Sequence, residues 1–267
     1  MNYHLHTNYS GDTKFSAKEM ALAAKNLEFT EICFTDHLIL DKTLDKFGCG
    51  MDVKKLNKRK KEIQNLKIDG LKIKCGIEID WLPNKLAQTK KLIANNDFDC
   101  ILGAAHSVKR QQTVVYSDER RKAFWGMMND DEIYKQHIDY YTAIQEMAKN
   151  KICDVIAHLD LIKRDAYLPK KSLKKVLIET VKVIADNDLS IEINTGGLRN
   201  PIKEIHPSLA ILKMCKKHNI AVTIGTDAHW TNQLNEGYDA GMALIKKAKY
   251  KQLAVFDKRK RSLIDID

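Results

Sequence analysis

The sequence predicts an α/β fold, a closed or nearly closed barrel of seven parallel strands alternating with helices, formed by residues 1–267 as one domain. Two observations predict it. Short apolar runs alternate with longer segments of helical period, the pattern of repeated βα units. No internal repeat, low-complexity stretch or linker divides the 267 residues, 44% of which are hydrophobic. The first run, NYHLH (2–6), leads into FSAKEMALAAKNL (15–27), where Ser16 and Glu19 form a capping box and Phe15 can staple onto the first turn. The second and third runs, EICFTDH (31–37) and KIKCGIEID (72–80), flank an amphipathic helix containing KKLNKRKKE (54–62). Val53, Leu56, Ile63 and Leu66 should face inward there and the lysines form a solvated outer face. The fourth run, CILGAAH (100–106), precedes an unusually long connection, Ser107 to Asp130, which is a candidate lid. Helices from Ile133, Ser172 and Pro207 then lead to CDVIAHLD (153–160), SIEINTGG (190–197) and AVTIGTDAH (221–229).

Composition narrows the function classes. No apolar stretch approaches the roughly 20 residues of a membrane span, and the N-terminus lacks a signal-peptide layout, so the expectation is a cytoplasmic protein. The six cysteines form no C-x-x-C pair and read as reduced core residues. A net charge of +10, with KRKR at 258–261, invites a nucleic-acid reading. The basic runs read better as solvated faces, leaving a lysine-rich surface that attracts small anionic substrates.

Every apolar run ends in residues able to bind a metal or a phosphate: His4 and His6, Asp36 and His37, Glu78 and Asp80, His106, His158 and Asp160, Glu192 and Asn194, Asp227 and His229. Spacing i, i+2 on a strand places two side chains on one face, and in a parallel barrel the C-terminal strand ends converge. Imidazoles and carboxylates gathered there without a cation would be left desolvated at several kcal/mol each. Divalent ions resolve that conflict, and a cysteine-free His/carboxylate set suits zinc, manganese or iron, with a carboxylate bridging two of the ions.

In this order, HLHTNYSGD, FTDH, GIEID, HSV, AHLD and GTDAH resemble the motifs of the PHP (polymerase and histidinol phosphatase) superfamily over nearly the whole chain. The resemblance implies a distorted, TIM-like (βα)7 barrel with three divalent ions. One takes His4, His6, Glu78 and Asp227, a second takes Glu78, His106 and His158, and a third takes Asp12, His37 and His229. Asp12 enters only through the resemblance, since it lies past the first strand. AHLDLIKRD (157–165) and EINTGGLRNPIKEIHPS (192–208) are similar to the stand-alone histidinol-phosphate phosphatase branch. By that similarity Arg199, and Arg164 or Lys163, reach the substrate phosphate, and His206 is a further candidate contact. The implied reaction is hydrolysis of L-histidinol phosphate by in-line attack of a metal-activated hydroxide. Glu78, Asp227, His229 and Arg199 would form the catalytic set, and Asp160 or Asp80 the acid for the leaving alkoxide. A phosphotyrosine or nucleotide phosphoesterase is the alternative, whereas a nuclease or a metal store fits less well. Gly196 where Ser is expected, Ala105 before His106, and His206 where Tyr is expected depart from the family pattern. His137 and His218, on helices, are expected at the surface.

Overall fold

The computed structural model describes residues 1–45, 48–107 and 118–266. Each apolar run forms parallel strand, and two runs divide into two strands. The first three give β1 (Asn2–Leu5), β2 (Glu31–Phe34), β3 (His37–Leu38), β4 (Lys72–Cys75) and β5 (Ile77–Asp80). The rest give β6 (Ile101–Ala104), β7 (Val155–Ile156), β8 (Ser190–Asn194) and β9 (Val222–Gly225). Between them lie α1 (Ala17–Asn26), α2 (Leu56–Asn65), α3 (Leu86–Ala94), α4 (Asp118–Gly126), α5 (Asp130–Asn150), α6 (Lys174–Asp186) and α7 (Leu209–Lys217). After β9 come α8 (Tyr238–Lys247) and two further strands, β10 (Gln252–Asp257) and β11 (Lys260–Asp265).

The strands do not pair into one closed ladder. They form two parallel sheets, ordered β1-β2-β4 and β3-β5-β6-β7-β8-β9, and the antiparallel pair β10-β11. The break falls where the second and third runs bend. Gly76 sits at that bend, and a Cβ there would lie 2.6 Å from Cys33 Sγ and 2.7 Å from the Cys100 carbonyl oxygen, so only glycine fits the close approach. On the other side, the end of β1 meets the segment after β9. The amide of His6 donates to the Ala228 carbonyl (3.0 Å) and that of Ala228 to the His4 carbonyl (3.3 Å). Two strand ends carrying His4, His6, Asp227 and His229 are thereby tied to each other.

The helices bury the faces their periodicity implies, with informative exceptions. In α1 the Ser16–Glu19 capping box forms, and Ala17, Met20, Ala21 and Ala24 are buried. In α2, Leu56 and Ile63 are buried, but Val53 stands outside the helix in a short 3-10 turn and is 38% exposed. Arg59, counted by charge with the solvated lysines, is 0% exposed. Its guanidinium fills the sheet break: Nε donates to Asp36 Oδ2 (2.5 Å), and the two terminal nitrogens donate to the carbonyls of Gly76 (2.8 Å) and Phe34 (2.9 Å).

His137 is likewise inside the protein. It is buried on α5 with Nε2 2.9 Å from the Tyr167 carbonyl oxygen, and burial depresses its pKa. His218 is exposed at the C-terminal end of α7, as expected. Of the candidate lid, residues 108–117 lie outside the described residues, and the part from Asp118 contributes α4 and the start of α5.

The terminal KRKR is not a solvated helix face. Lys258 and Arg259 both adopt positive φ and form the two-residue turn between β10 and β11. Arg259 is anchored through Nε (3.0 Å) and a terminal nitrogen (2.8 Å) to Asp154 Oδ1, and Arg261 pairs with Asp188 at 2.5 Å. No described helix is long and apolar enough to cross a membrane.

Candidate active site

The strand ends do converge. His4 and His6 at the end of β1, His37 on β3, Glu78 on β5, His106 after β6, His158 after β7, and Asp227 and His229 after β9 all contribute to one cluster. Within it, His4–His6–Glu78, His4–His158–Asp227, His37–Glu78–His106 and His6–His37–His229 each bring three donor atoms within 4.8 Å of one another. Glu78 is the hub. Its Oε2 lies 3.4 Å from His4 Nε2 and 2.6 Å from His37 Nδ1, and its Oε1 lies 3.0 Å from His158 Nε2 and 3.6 Å from His106 Nε2. Asp227 Oδ1 faces His6 Nε2 at 3.2 Å and His4 Nε2 at 3.5 Å. Asp12 Oδ2 stands 3.2 Å from His229 Nε2 and 3.4 Å from His37 Nε2. The nine residues of the expected ligand set are therefore side by side, with Glu78 and His4 at the buried floor and Asp12 and His229 at the open rim.

Two of these residues hold backbone conformations that L-residues seldom adopt, His158 at φ +28° and Asp227 at φ +54°. Both follow strand ends, where the left-handed turn coincides with a side chain directed into the cluster.

The electrostatics suit a cation site. Burial opposes ionisation of Glu78, yet the imidazoles of His37, His4 and His106 hold its carboxyl well below the usual range. Asp227 is held down in the same way by His4, His6 and His229. Burial would depress His4, but Glu192, Asp227 and Glu78 override it and raise its pKa, and Glu78 and Asp12 do the same for His37. His6 lacks enough carboxylate to match. It stacks on His229 at 4.0 Å between ring centroids and, buried beside His229 and His37, is pushed down to about 3. The donor chemistry fits divalent ions: His4 Nε2 is buried, faces Glu78 Oε2 at 3.4 Å and Asp227 Oδ1 at 3.5 Å, and has no hydrogen bond. Imidazole nitrogens and carboxylate oxygens without thiolate suit zinc, manganese or iron.

Above the cluster opens a cavity of about 360 Å³. Arg164, Arg199, Trp230 and Gln233 line it together with Asp12, His106, His158 and His229. Arg199 is aimed by two hydrogen bonds from one terminal nitrogen to the carbonyls of Thr226 (2.7 Å) and Asp227 (2.8 Å), which ties it to a candidate ligand.

Lys163, His206, Asp160 and Asp80 are not in that wall. Asp160 Oδ1 faces His206 Nδ1 at 2.7 Å, and its Oδ2 receives the Ser208 amide (2.9 Å) and lies 3.0 Å from Lys163 Nζ. Lys163 is shared further with Glu204 at 2.9 Å. Asp80 Oδ1 accepts the His106 amide at 3.0 Å. All four are buried and turned toward protein partners, while Arg164 keeps its place at the cavity.

Cys49, the one cysteine of six that is not buried, also lines the cavity. Its thiol is pushed up to about 11 by burial and by the Asp12 carboxylate. We expect the native protein to titrate one slow thiol with a disulfide reagent at pH 8 and the remaining five only after unfolding. Two or more fast thiols would contradict this.

The chain is similar to known proteins over most of its length. The chain is 26% identical over 237 residues to a probable histidinol-phosphatase of Deinococcus radiodurans, covering 85% of each protein. It is also 26% identical over 278 residues to the histidinol-phosphatase of Lactococcus lactis, covering 98% of each. The crystal structure of the latter's histidinol phosphate phosphatase, solved with zinc, L-histidinol and phosphate, superposes with a TM-score of 0.77 at 21% identity over 98% of both chains. The structure of a putative histidinol phosphatase from Listeria monocytogenes gives 0.78 at 18% identity, over 90% of this chain and 98% of that one. The PHP domain family is matched over residues 2–196, the segment that supplies seven of the nine clustered residues, and this chain belongs to that family.

Proposed function

We propose that this chain is a metal-dependent histidinol-phosphatase of the cytoplasm, hydrolysing L-histidinol phosphate to L-histidinol and phosphate. The observation that carries it is the meeting of nine imidazole and carboxylate side chains beneath a cavity walled by two arginines. Full-length relatives of the same fold bear that name. The donor groups would hold three ions as the family resemblance divides them, with Glu78 in two of the groups, and the circuit of strand ends from β1 to β9 supports reading the two sheets as a distorted barrel.

Bound divalent ions supply Lewis acidity, lowering the pKa of a water and drawing charge from phosphoryl oxygens. The chain supplies placement. Glu78, buried, and Asp227, half-buried, are held ionised and fix the imidazoles around them in one geometry. Arg199, held by backbone carbonyls, and Arg164 present guanidinium groups at the cavity wall, suited to two oxygens of a phosphate dianion and to charge that grows on them during in-line displacement. Asp160 and Asp80 act behind this wall, as anchors of the Ser208 and His106 backbone.

The test is phosphate release from histidinol phosphate, phosphotyrosine and nucleoside monophosphates, by protein stripped with chelator and reloaded in turn with zinc, manganese and iron. Histidinol phosphate should be preferred by about 100-fold or more in kcat/KM, the loss expected when a site built around polar groups meets a substrate lacking their partners. Turnover without metal, or equal rates on all substrates, would refute the reading.

A further inference from the structure

We propose that Glu192, which is outside the ligand set and outside the cavity wall, is the positioning residue that holds His4 and His158 ready for metal. The inference rests on the metal-binding reading and is independent of the substrate. Glu192 lies on β8, 0% exposed. Its Oε1 is 2.7 Å from His4 Nδ1, and its Oε2 accepts the His158 amide at 2.9 Å and the Asn194 side-chain amide at 3.0 Å. One carboxylate therefore serves the ring of His4 and the backbone of His158, two histidines that the family resemblance gives to different ions.

Each contact has a consequence. A proton on His4 Nδ1, donated to Glu192, leaves the lone pair on Nε2, the buried atom that faces Glu78 and Asp227 without a hydrogen bond. The amide of His158 belongs to the residue at φ +28°, so the bond to Glu192 pins the left-handed turn that sends this imidazole inward. Asn194, two residues along the same strand face, spans from Glu192 to Asp227 Oδ2 (3.4 Å).

The neighbouring strand is shaped around the same contact. Gly225 on β9 has ordinary backbone angles, yet a Cβ there would collide with Glu192 Oε1 and lie 2.5 Å from the His4 Cβ. Glycine at 225 is explained by the closeness of Glu192 to His4.

The role depends on two acceptor oxygens, which makes Glu192→Gln diagnostic. Glutamine has one. With its oxygen toward His4, its amide opposes the His158 N–H; reversed, it donates to His4 Nδ1 and forces the proton onto Nε2, where metal should bind. Zinc affinity by chelator competition should fall about 10- to 100-fold in Glu192→Gln, and less in Glu192→Asp, which keeps both acceptors. Thermal unfolding separates positioning from packing: the metal-free melting temperature should stay near wild type while the zinc-induced rise shrinks. Wild-type zinc affinity in Glu192→Gln would overturn the proposal, as would a metal-free melting temperature that falls as far as the zinc-loaded one. A wild-type chain that takes up no zinc would overturn the metal reading as well.

Discussion

Glu78→Gln should lower turnover of histidinol phosphate by about 10³-fold or more while leaving the protein folded. The size follows from the position of this carboxyl. It lies within 4 Å of His4, His6, His37, His106 and His158 together, so removing its charge affects all five imidazoles at once. Metal ions contribute several kcal/mol of charge stabilisation to a phosphoryl transition state, and each 1.36 kcal/mol is a tenfold change in rate. The imidazoles also lose the carboxylate that raises the pKa of His4 and His37. Without metal, the glutamine variant should therefore release protons from these rings at lower pH than wild type does. Steady-state assays with metal analysis of the same sample decide the matter. Activity within tenfold of wild type at full metal content would refute Glu78 as the hub. Asp227→Asn should follow the same direction, with loss of metal occupancy.

The site was legible in the sequence because its chemistry repeats at strand ends. Period-2 spacing puts His4 with His6 and Asp227 with His229 on common faces, and so many imidazoles and carboxylates gathered in one place are left desolvated without a cation. Asp12 escaped that logic, since it stands in a turn eight residues past His4 and joins His37 and His229 only through the folded chain. Glu192, Asp80 and Asp160 carried the same strand-end signature as the ligands. Distance separates their roles: each is turned to an amide or imidazole behind the cavity wall. Residue type at a strand end therefore identifies a polar layer, and which atoms of that layer reach the cavity depends on turns such as the one at His158.

The fold was legible as alternation and illegible at its ends and bends. The runs 31–37 and 72–80 each look like one strand, because a bend between paired strands leaves no trace in an apolar pattern. The β10–β11 pair lacked the Asn-Gly or Asp-Gly signal of a tight turn. Its turn is Lys258-Arg259, whose positive φ angles are held by tertiary bonds, Arg259 to Asp154 and the Arg259 amide to the Asp99 carbonyl at 2.9 Å.

Arg59→Ala should destabilise the metal-free protein by about 3–5 kcal/mol, the usual cost of removing one partner of a buried ion pair. At 2–4 °C per kcal/mol for a chain of this order of size, that is a fall in melting temperature of roughly 10 °C. Asp36 would remain 0% exposed with two hydroxyls and an amide but no cation. The carbonyls of Phe34 and Gly76 at the sheet break would also lose their guanidinium donors. Its neighbours in the run, Lys58 and Lys61, are exposed, and their removal should cost little. Pairing Arg59→Met with Asp36→Asn should recover much of the loss, because the penalty comes from the stranded charge more than from the missing bond. The pH dependence has a definite sign. Burial raises the pKa of Asp36, but Arg59 and His6 outweigh it and hold it below the ordinary carboxylate value. Its contribution is therefore present above about pH 4, the unfolded value, and is lost as pH falls through the lower folded one. Thermal unfolding in chelator between pH 7 and pH 3 reads both effects. If Arg59→Ala melts within about 2 °C of wild type at pH 7, the buried pair does not hold the bend, and the geometry of His37, one residue from Asp36, must be set elsewhere.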